Sequence, residues 1–347
     1  MKIKDLIISQ IKKKGKIDIS EFIEYCQYSK HGYYINNNPI GLNNDFITSP
    51  EISQMFGEII GVFLINYWEK NIQSDFNLIE LGPGTGTLIE DIIRIAKSNK
   101  KFLNSINLFF IEKNEALIEK QKKRLSNLDV KDINWCKDFD IKNEKPLLVY
   151  SNEFFDCFSV RQFFKKHKWY EKYINYNNSQ KIFHFESEEI KNYELLKSLR
   201  KFEHVKIAEI SNTRSSYYDK VCKYIKNNKG VFLTVDYGYN ALPKNFSLQT
   251  IYRHKKTHLF DNIGNQDITA HVDFDELIKI ANDNKLTIES FSNQRDFLLG
   301  CGLKERKKQL QKNKDEIVSK KIELDYERLT SKSQMGDIFK VLITSCL

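Results

Sequence analysis

The stretch L-I-E-L-G-P-G-T-G-T-L, residues 78–88, constrains the fold of this chain more than any other. Glycines at 82, 84 and 86 follow a short apolar run and precede an amphipathic one, so a strand turns sharply into a helix there. Glycine lets the backbone bend in that way and come close to a bound molecule. The spacing departs from the G-x-G-x-x-G of dinucleotide sites, and no G-K-[ST] follows to make a phosphate loop. Glu80, two residues before the first glycine, sets a carboxylate at the tip of the strand. That suits a ligand with an ammonium group, which a dinucleotide lacks and the amino-acid end of S-adenosyl-L-methionine has.

From Phe76 onward the pattern alternates between buried strands and helices. FNLIEL, INLFFIE, PLLVYSNEFF and GVFLTVDYG read as strands, with helices over Thr87–Ala96 and up to Leu125. Such alternation predicts a parallel sheet with right-handed crossovers. Near the end, KLTIESFSNQ and DIFKVLITS read as strands flanking a charged helix (roughly Leu303–Arg328). This tail suits a final pair of strands with one running antiparallel. The expected fold is therefore α/β: a seven-stranded, Rossmann-like class I methyltransferase sheet. Residues 1–75 form an N-terminal helical segment, in which Pro50 and Glu51 open a long helix with Ile52, Met55, Phe56, Ile59, Ile60 and Phe63 on its apolar face. Residues 76–157 and 229–347 make the methyltransferase core, and 158–228, with a hairpin expected over KWYEKYINYNNSQKIFHFES, an inserted cap above the carboxyl edge of the sheet.

Composition narrows the class. The longest apolar run, Ile59–Trp68, is ten residues and too short to span a bilayer. The Lys-rich start lacks both the apolar core of a signal peptide and the Arg and Ser content of a transit peptide, which makes a bacterial cytoplasmic location the expectation. Six scattered cysteines form no CxxC pair, so reduced thiols fit better than disulfides or zinc, and no metal is expected. The net charge of +9 raises nucleic acid as a partner, but the lysines sit mostly on helix faces beside glutamates, as on a solvated surface. A homodimer is left open.

Candidate site residues gather at strand ends. Glu112, 32 residues after Glu80, closes the second strand, where a carboxylate can accept both ribose hydroxyls. Asp138 stands where a third loop would reach the adenine. In D-F-I-T-S-P-E, Asp45–Glu51, Thr48 and Ser49 lead into a helix whose N-terminal amides could face the cofactor carboxylate. Asn152, Glu153 and Asp156 follow the next strand at the methyl-donor position. The [DN]PP[YF] turn of DNA amino methylation is missing there, and paired carboxylates suit a cationic acceptor. A guanidinium, with its pKa above about 12, has to be held, oriented and relieved of a proton as the methyl arrives. His271, among polar residues in D-I-T-A-H-V-D-F, is a candidate proton acceptor. Asp236 and Tyr237 end a strand on the same edge.

In this order the blocks GYYINNNPIGLNNDFITSPEISQMFGEIIG, IELGPGTGTLIEDI, SNEFFDCFSVRQF, VDYGY, DITAHVDF and MGDIFKVL resemble the MidA-like family, from Gly32 to Thr344. These are relatives of a mitochondrial complex I assembly factor that acts as a protein arginine methyltransferase. The resemblance implies symmetric dimethylation of an arginine in the NuoD-like (49-kDa type) subunit of NADH:ubiquinone oxidoreductase. It places cofactor contacts on Gly82, Gly84, Gly86 and Glu112, and acceptor contacts on Asn152, Glu153 and Asp156. The alternatives are a methyltransferase acting on RNA or a small molecule, and an assembly chaperone in which the cofactor is structural.

Overall fold

The computed structural model describes residues 2–36, 48–128, 130 and 132–347. At its centre lie seven strands: β1 (Phe76–Leu81), β2 (Ile106–Ile111), β3 (Ile133–Cys136), β4 (Leu147–Asn152), β5 (Gly230–Tyr239), β6 (Thr287–Asn293) and β7 (Phe339–Cys346). Their order across the sheet is β6-β7-β5-β4-β1-β2-β3. β3, β2, β1, β4 and β5 pair in parallel, while β7 runs antiparallel between β5 and β6. A two-residue strand, Val272–Asp273, extends the sheet beside Gly238 and Tyr239.

The central strands are near-continuous apolar runs because helices cover both of their faces. In β1 the side chains alternate. Phe76 and Leu78 enter a core with the helices Gln54–Asn71 and Thr87–Ala96, whereas Ile79 and Leu81 enter one with Asn212–Asn228 and Phe274–Asp283. Among the described residues no helix is long and apolar enough to cross a membrane.

Three local expectations change. The long N-terminal helix is broken at Ser53, whose extended backbone separates Ser49–Ile52 from Gln54–Asn71 and whose hydroxyl caps the second piece. The charged helix near the end is a hairpin of Leu303–Gln311 and Glu316–Thr330. Asp45–Ile47 lie outside the described residues.

A second layer sits over the carboxyl edge of the sheet. Strands Arg161–Lys165, Trp169–Asn177, Ile182–Glu189 and Ile207–Ile210 form a sheet that also takes in Ile17–Asp18. Helix Ile3–Lys14 turns Ile3, Ile7 and Ile11 inward at four-residue spacing and ends at Gly15, which has a positive φ. These isoleucines pack with Phe22, Ile174, Phe183, Ile268 and Ala270 in a separate core. The expected insertion 158–228 therefore divides. Helix Asn212–Asn228 buries Tyr218, Val221, Cys222 and Ile225 against the central sheet, as a crossover helix between β4 and β5 does. Conversely, part of the expected core, the small sheet Gln249–Tyr252, Lys255–Lys256 and Asp267–Thr269, joins the second layer.

Candidate active site

Beyond the adjacent ends of β1 and β4 the strand order reverses, and such a crevice is where open α/β sheets bind ligands. A cavity of about 620 Å³ opens there, between the central sheet and the second layer. Glu80, Gly82, Gly84, Glu112 and Asp138 line one side of it, and Thr48, Asn152, Glu153 and Asp156 also reach its wall.

The glycine loop is built by conformation. Gly82, Gly84 and Gly86 all have positive φ, at 63°, 55° and 81°. At Gly82 a Cβ would come within 2.8 Å of the Phe154 ring, so a side chain is excluded twice over. Gly86 is not on the cavity wall; it caps helix Thr87–Ala96. Glu80 is buried, accepts a 2.9 Å hydrogen bond from the Tyr150 hydroxyl, and has its pKa pushed up to about 8 by burial. Glu112, also raised by burial, accepts from the Asn114 amide at 2.8 Å. Gln121 braces the two sides of this loop. Its amide donates to the Gly84 carbonyl at 2.8 Å and approaches Glu112 at 3.5 Å, while the Trp135 indole donates to its oxygen. Nothing in the E-K-Q-K-K-R run distinguishes Gln121 from a solvated helix residue.

Two of the expected cofactor contacts already have partners within the protein. Ser49 does not line the cavity; its backbone N–H donates to Glu153 Oε1 at 3.1 Å. Asp138 lies at the cavity mouth, with one carboxylate oxygen paired to Lys220 at 2.7 Å and the other accepting from the Phe139 amide. Glu51 ties the N-terminal segment to the glycine loop by accepting from Thr85 and, at 2.7 Å, from Thr87.

Glu153 takes φ 50°, the left-handed region, although it is not glycine. Strain of that kind persists only where the surroundings impose it, commonly at functional sites. Asn152 Nδ2 donates to Glu153 Oε1 at 3.2 Å, and Asn152 Oδ1 is buried with no hydrogen-bond partner among the described residues. Burial, then the neighbouring Asp156, push the Glu153 carboxyl up to about 8 against the Ser49 and Asn152 hydrogen bonds. Asp156 is raised to about 6 by burial, with the Tyr237 hydroxyl and Arg214 opposing.

Two residues behind this loop hold its shape. One carboxylate oxygen of Asp236 accepts from three successive amides, those of Phe154, Phe155 and Asp156, at 2.8–3.3 Å. Arg214, itself buried, donates to the carbonyls of Phe155, Ala270 and His271 at 2.7–3.2 Å, joining two loops. The sequence S-N-T-R-S-S carries no signal for Arg214, because its role depends on carbonyls more than fifty residues away.

His271 is not on the cavity wall. Its ring lies edge-on to Tyr237 at 5.6 Å, its backbone amide donates to Ser247, and burial holds its pKa below the ordinary value. Polar neighbours in the sequence made it resemble a site residue, but they serve the loop. Cys157 lines the cavity, with its thiol donating to the Phe154 carbonyl and pushed well up by burial.

The family model described as "Putative S-adenosyl-L-methionine-dependent methyltransferase" matches residues 59–292. The chain is similar to the mouse mitochondrial protein arginine methyltransferase NDUFAF7, at 29% identity over 361 residues, covering 96% of this chain and 82% of that one. A Caenorhabditis elegans homolog of the same name is 28% identical over 336 residues, covering 89% and 78%. A Burkholderia thailandensis protein crystallised with S-adenosyl-homocysteine bound has a TM-score of 0.85 at 21% identity, covering 99% of this chain and 92% of that one. The native crystal structure of a protein from the same organism has a TM-score of 0.87, and both show the shared fold.

Proposed function

Because this chain belongs to the S-adenosyl-L-methionine-dependent methyltransferase family, of MidA-like type, we propose that its acceptor is an arginine side chain of a protein. The observation that carries this reading is the pair Glu153 and Asp156, two carboxylates on the cavity wall at the end of β4, each pushed above the usual carboxylate range by burial. Asp267 adds a third carboxylate that acts on Glu153, and Arg214 is committed to backbone carbonyls. A cationic acceptor relieves that imbalance, whereas a phosphate-rich one would worsen it.

The residues fit the cofactor. Gly82 and Gly84 bring backbone without side chains to the cavity wall, Glu80 offers a buried carboxylate to an ammonium, and Glu112 and Asp138 line the wall where ribose and adenine would lie. When bound, the cofactor supplies a sulfonium methyl, whose S–C electron pair stays on sulfur as a new N–C bond forms. The chain's own residues do the rest. Glu153 and Asp156 hold the guanidinium in line, the unpaired Asn152 Oδ1 accepts one of its N–H groups, and Glu153 takes the proton the nitrogen loses. The Ser49 amide, donating to Glu153 Oε1, keeps that carboxylate on its side of the cavity. Positioning by these groups leaves His271 without a role in the transfer.

Within this reading, the target is the NuoD-like subunit of complex I, symmetrically dimethylated during assembly. Support comes from the MidA-like motifs and from the relatives' printed name, protein arginine methyltransferase NDUFAF7. Radiolabelled methyl transfer into extract of a strain lacking the enzyme tests it. One labelled band at the NuoD-like subunit, yielding symmetric dimethylarginine on hydrolysis, is the expected outcome. Glu153→Gln should lower that rate about 10²-fold or more. Label in RNA or in small molecules would overturn the reading.

A further inference from the structure

Two tyrosines of the N-terminal segment line the cavity, and neither the glycine loop nor the carboxylate pair accounts for them. Tyr28 closes helix Ile19–Tyr28, and Tyr34 lies in the single turn Tyr33–Asn36. Their rings stack with centroids 5.8 Å apart and planes 20° from parallel. Each hydroxyl is already committed to the protein. Tyr28 donates to the Cys157 carbonyl at 2.9 Å, and Tyr34 donates to Asp267 Oδ1 at 2.6 Å. What the pair offers a ligand is therefore its aromatic surface. Burial keeps both phenols protonated, raising them well above their usual range, and the charge of Asp156 is felt by both.

Tyr34 is also tied to the cofactor side. Its carbonyl accepts from Asn114 Nδ2 at 2.9 Å, and the backbone amide of that same Asn114 donates to Glu112 at 2.8 Å. One residue thus touches both ends of the cavity, through Asp267 near the acceptor carboxylates and through Asn114 beside Glu112. Neutral aromatic surface beside buried carboxylates is the chemistry that holds a planar, weakly hydrated cation.

From this geometry we propose that Tyr34 is the specificity-determining residue of the acceptor site, its ring stacking on the acceptor cation while its ties to Asp267 and Asn114 fix the ring relative to Glu112. The proposal rests on the methyltransferase reading of the cavity and adds to it the group that selects a planar cation.

The test uses the full chain, with Tyr34→Phe and Tyr34→Leu variants. Two quantities are read: calorimetric binding of S-adenosyl-homocysteine, and the rate of labelling, across an extract dilution series, of whichever band the wild type labels. Loss of a desolvated cation–aromatic contact predicts about a 30-fold fall in kcat/KM for Tyr34→Leu, mostly in KM, with cofactor-product affinity within about twofold. Tyr34→Phe keeps the ring and should lose less. Unchanged labelling by Tyr34→Leu, a parallel loss of S-adenosyl-homocysteine binding, or an equal loss in Tyr34→Phe would each overturn the proposal. Should Tyr34→Leu fail to fold, the wild type decides: ethylguanidinium should inhibit labelling about tenfold better than butylammonium, a charge without a plane, and equal inhibition counts against the ring. A band whose methylated residue is not arginine sinks the arginine reading alone, while a wild type that labels nothing sinks both.

Discussion

Glu80 and Glu153 show at single positions what a binding site costs an unliganded protein. The Glu80 carboxyl, pushed by burial from 4.5 to about 8, is mostly protonated at pH 7. Holding an ammonium requires it ionised, so binding S-adenosyl-homocysteine at pH 7 should release close to one proton. Calorimetry in buffers of different ionisation enthalpy measures this. The release should vanish above pH 9 and in Glu80→Gln. The same shift sets the stability of the free chain. A carboxyl raised on folding favours the folded state at low pH, and that contribution is lost as pH climbs from about 5 through 8. At Glu153 the cost is conformational. A non-glycine residue in the left-handed region carries on the order of 1–3 kcal/mol of strain, and a buried carboxylate adds to it. Glu153→Gly should therefore raise the urea midpoint of the protein while abolishing methyl transfer, a trade of stability for activity. A variant that melts earlier than wild type would show that the side chain's hydrogen bonds outweigh the strain.

Among the elements, helices Gln54–Asn71 and Thr87–Ala96 determine how rigidly the glycine loop is held. They cross closely because two glycines face the second helix. A Cβ at Gly57 would lie 2.6 Å from Asp91 Cβ, and one at Gly61 would lie 2.6 Å from an Ile95 methyl and 3.2 Å from Ile92 Cα. Since Thr87–Ala96 begins at Gly86, pushing it outward moves the loop as well. Gly61→Val should destabilise by about 1–3 kcal/mol, the usual cost of overpacking, and weaken S-adenosyl-homocysteine binding in the same variant. Denaturant melts with a parallel binding titration check both. These elements were largely readable in advance. β1, β4 and β5 are covered on both faces and announce themselves as apolar runs, and Gly82–Gly86 mark the turn between β1 and its helix. The break at Ser53 was not readable, because the apolar spacing runs straight through it and only the backbone of one serine departs.

For the molecule as a whole, what the sequence conveyed depended on how local the signal was. Glu80, Glu112 and Glu153 stand at strand ends, so finding the strands found the carboxylates. The contacts of Gln121 with Gly84, Arg214 with Phe155 and Tyr34 with Asp267 span 37, 59 and 233 residues, and no short window of the chain contains both halves of any of them. His271 shows the reverse error, since its polar neighbours are local while its seat against Tyr237 is not. The second layer is only partly legible in the sequence for the same reason. Its sheet joins Ile17 to Ile174, and its core mixes residues from 3–26, 160–183 and 268–270.

That shared core has a consequence for descent. Ile7, Phe22, Ile174, Phe183 and Ile268 come from three stretches of chain that share one apolar core, with Leu248, Leu259, Phe260 and Ile263 packed against it. Deleting any one would leave the remaining two with exposed isoleucine and phenylalanine surface over an open cavity. A lineage carrying this architecture can lengthen or prune the loops between the stretches, but it inherits the three additions, or loses them, as one heritable block.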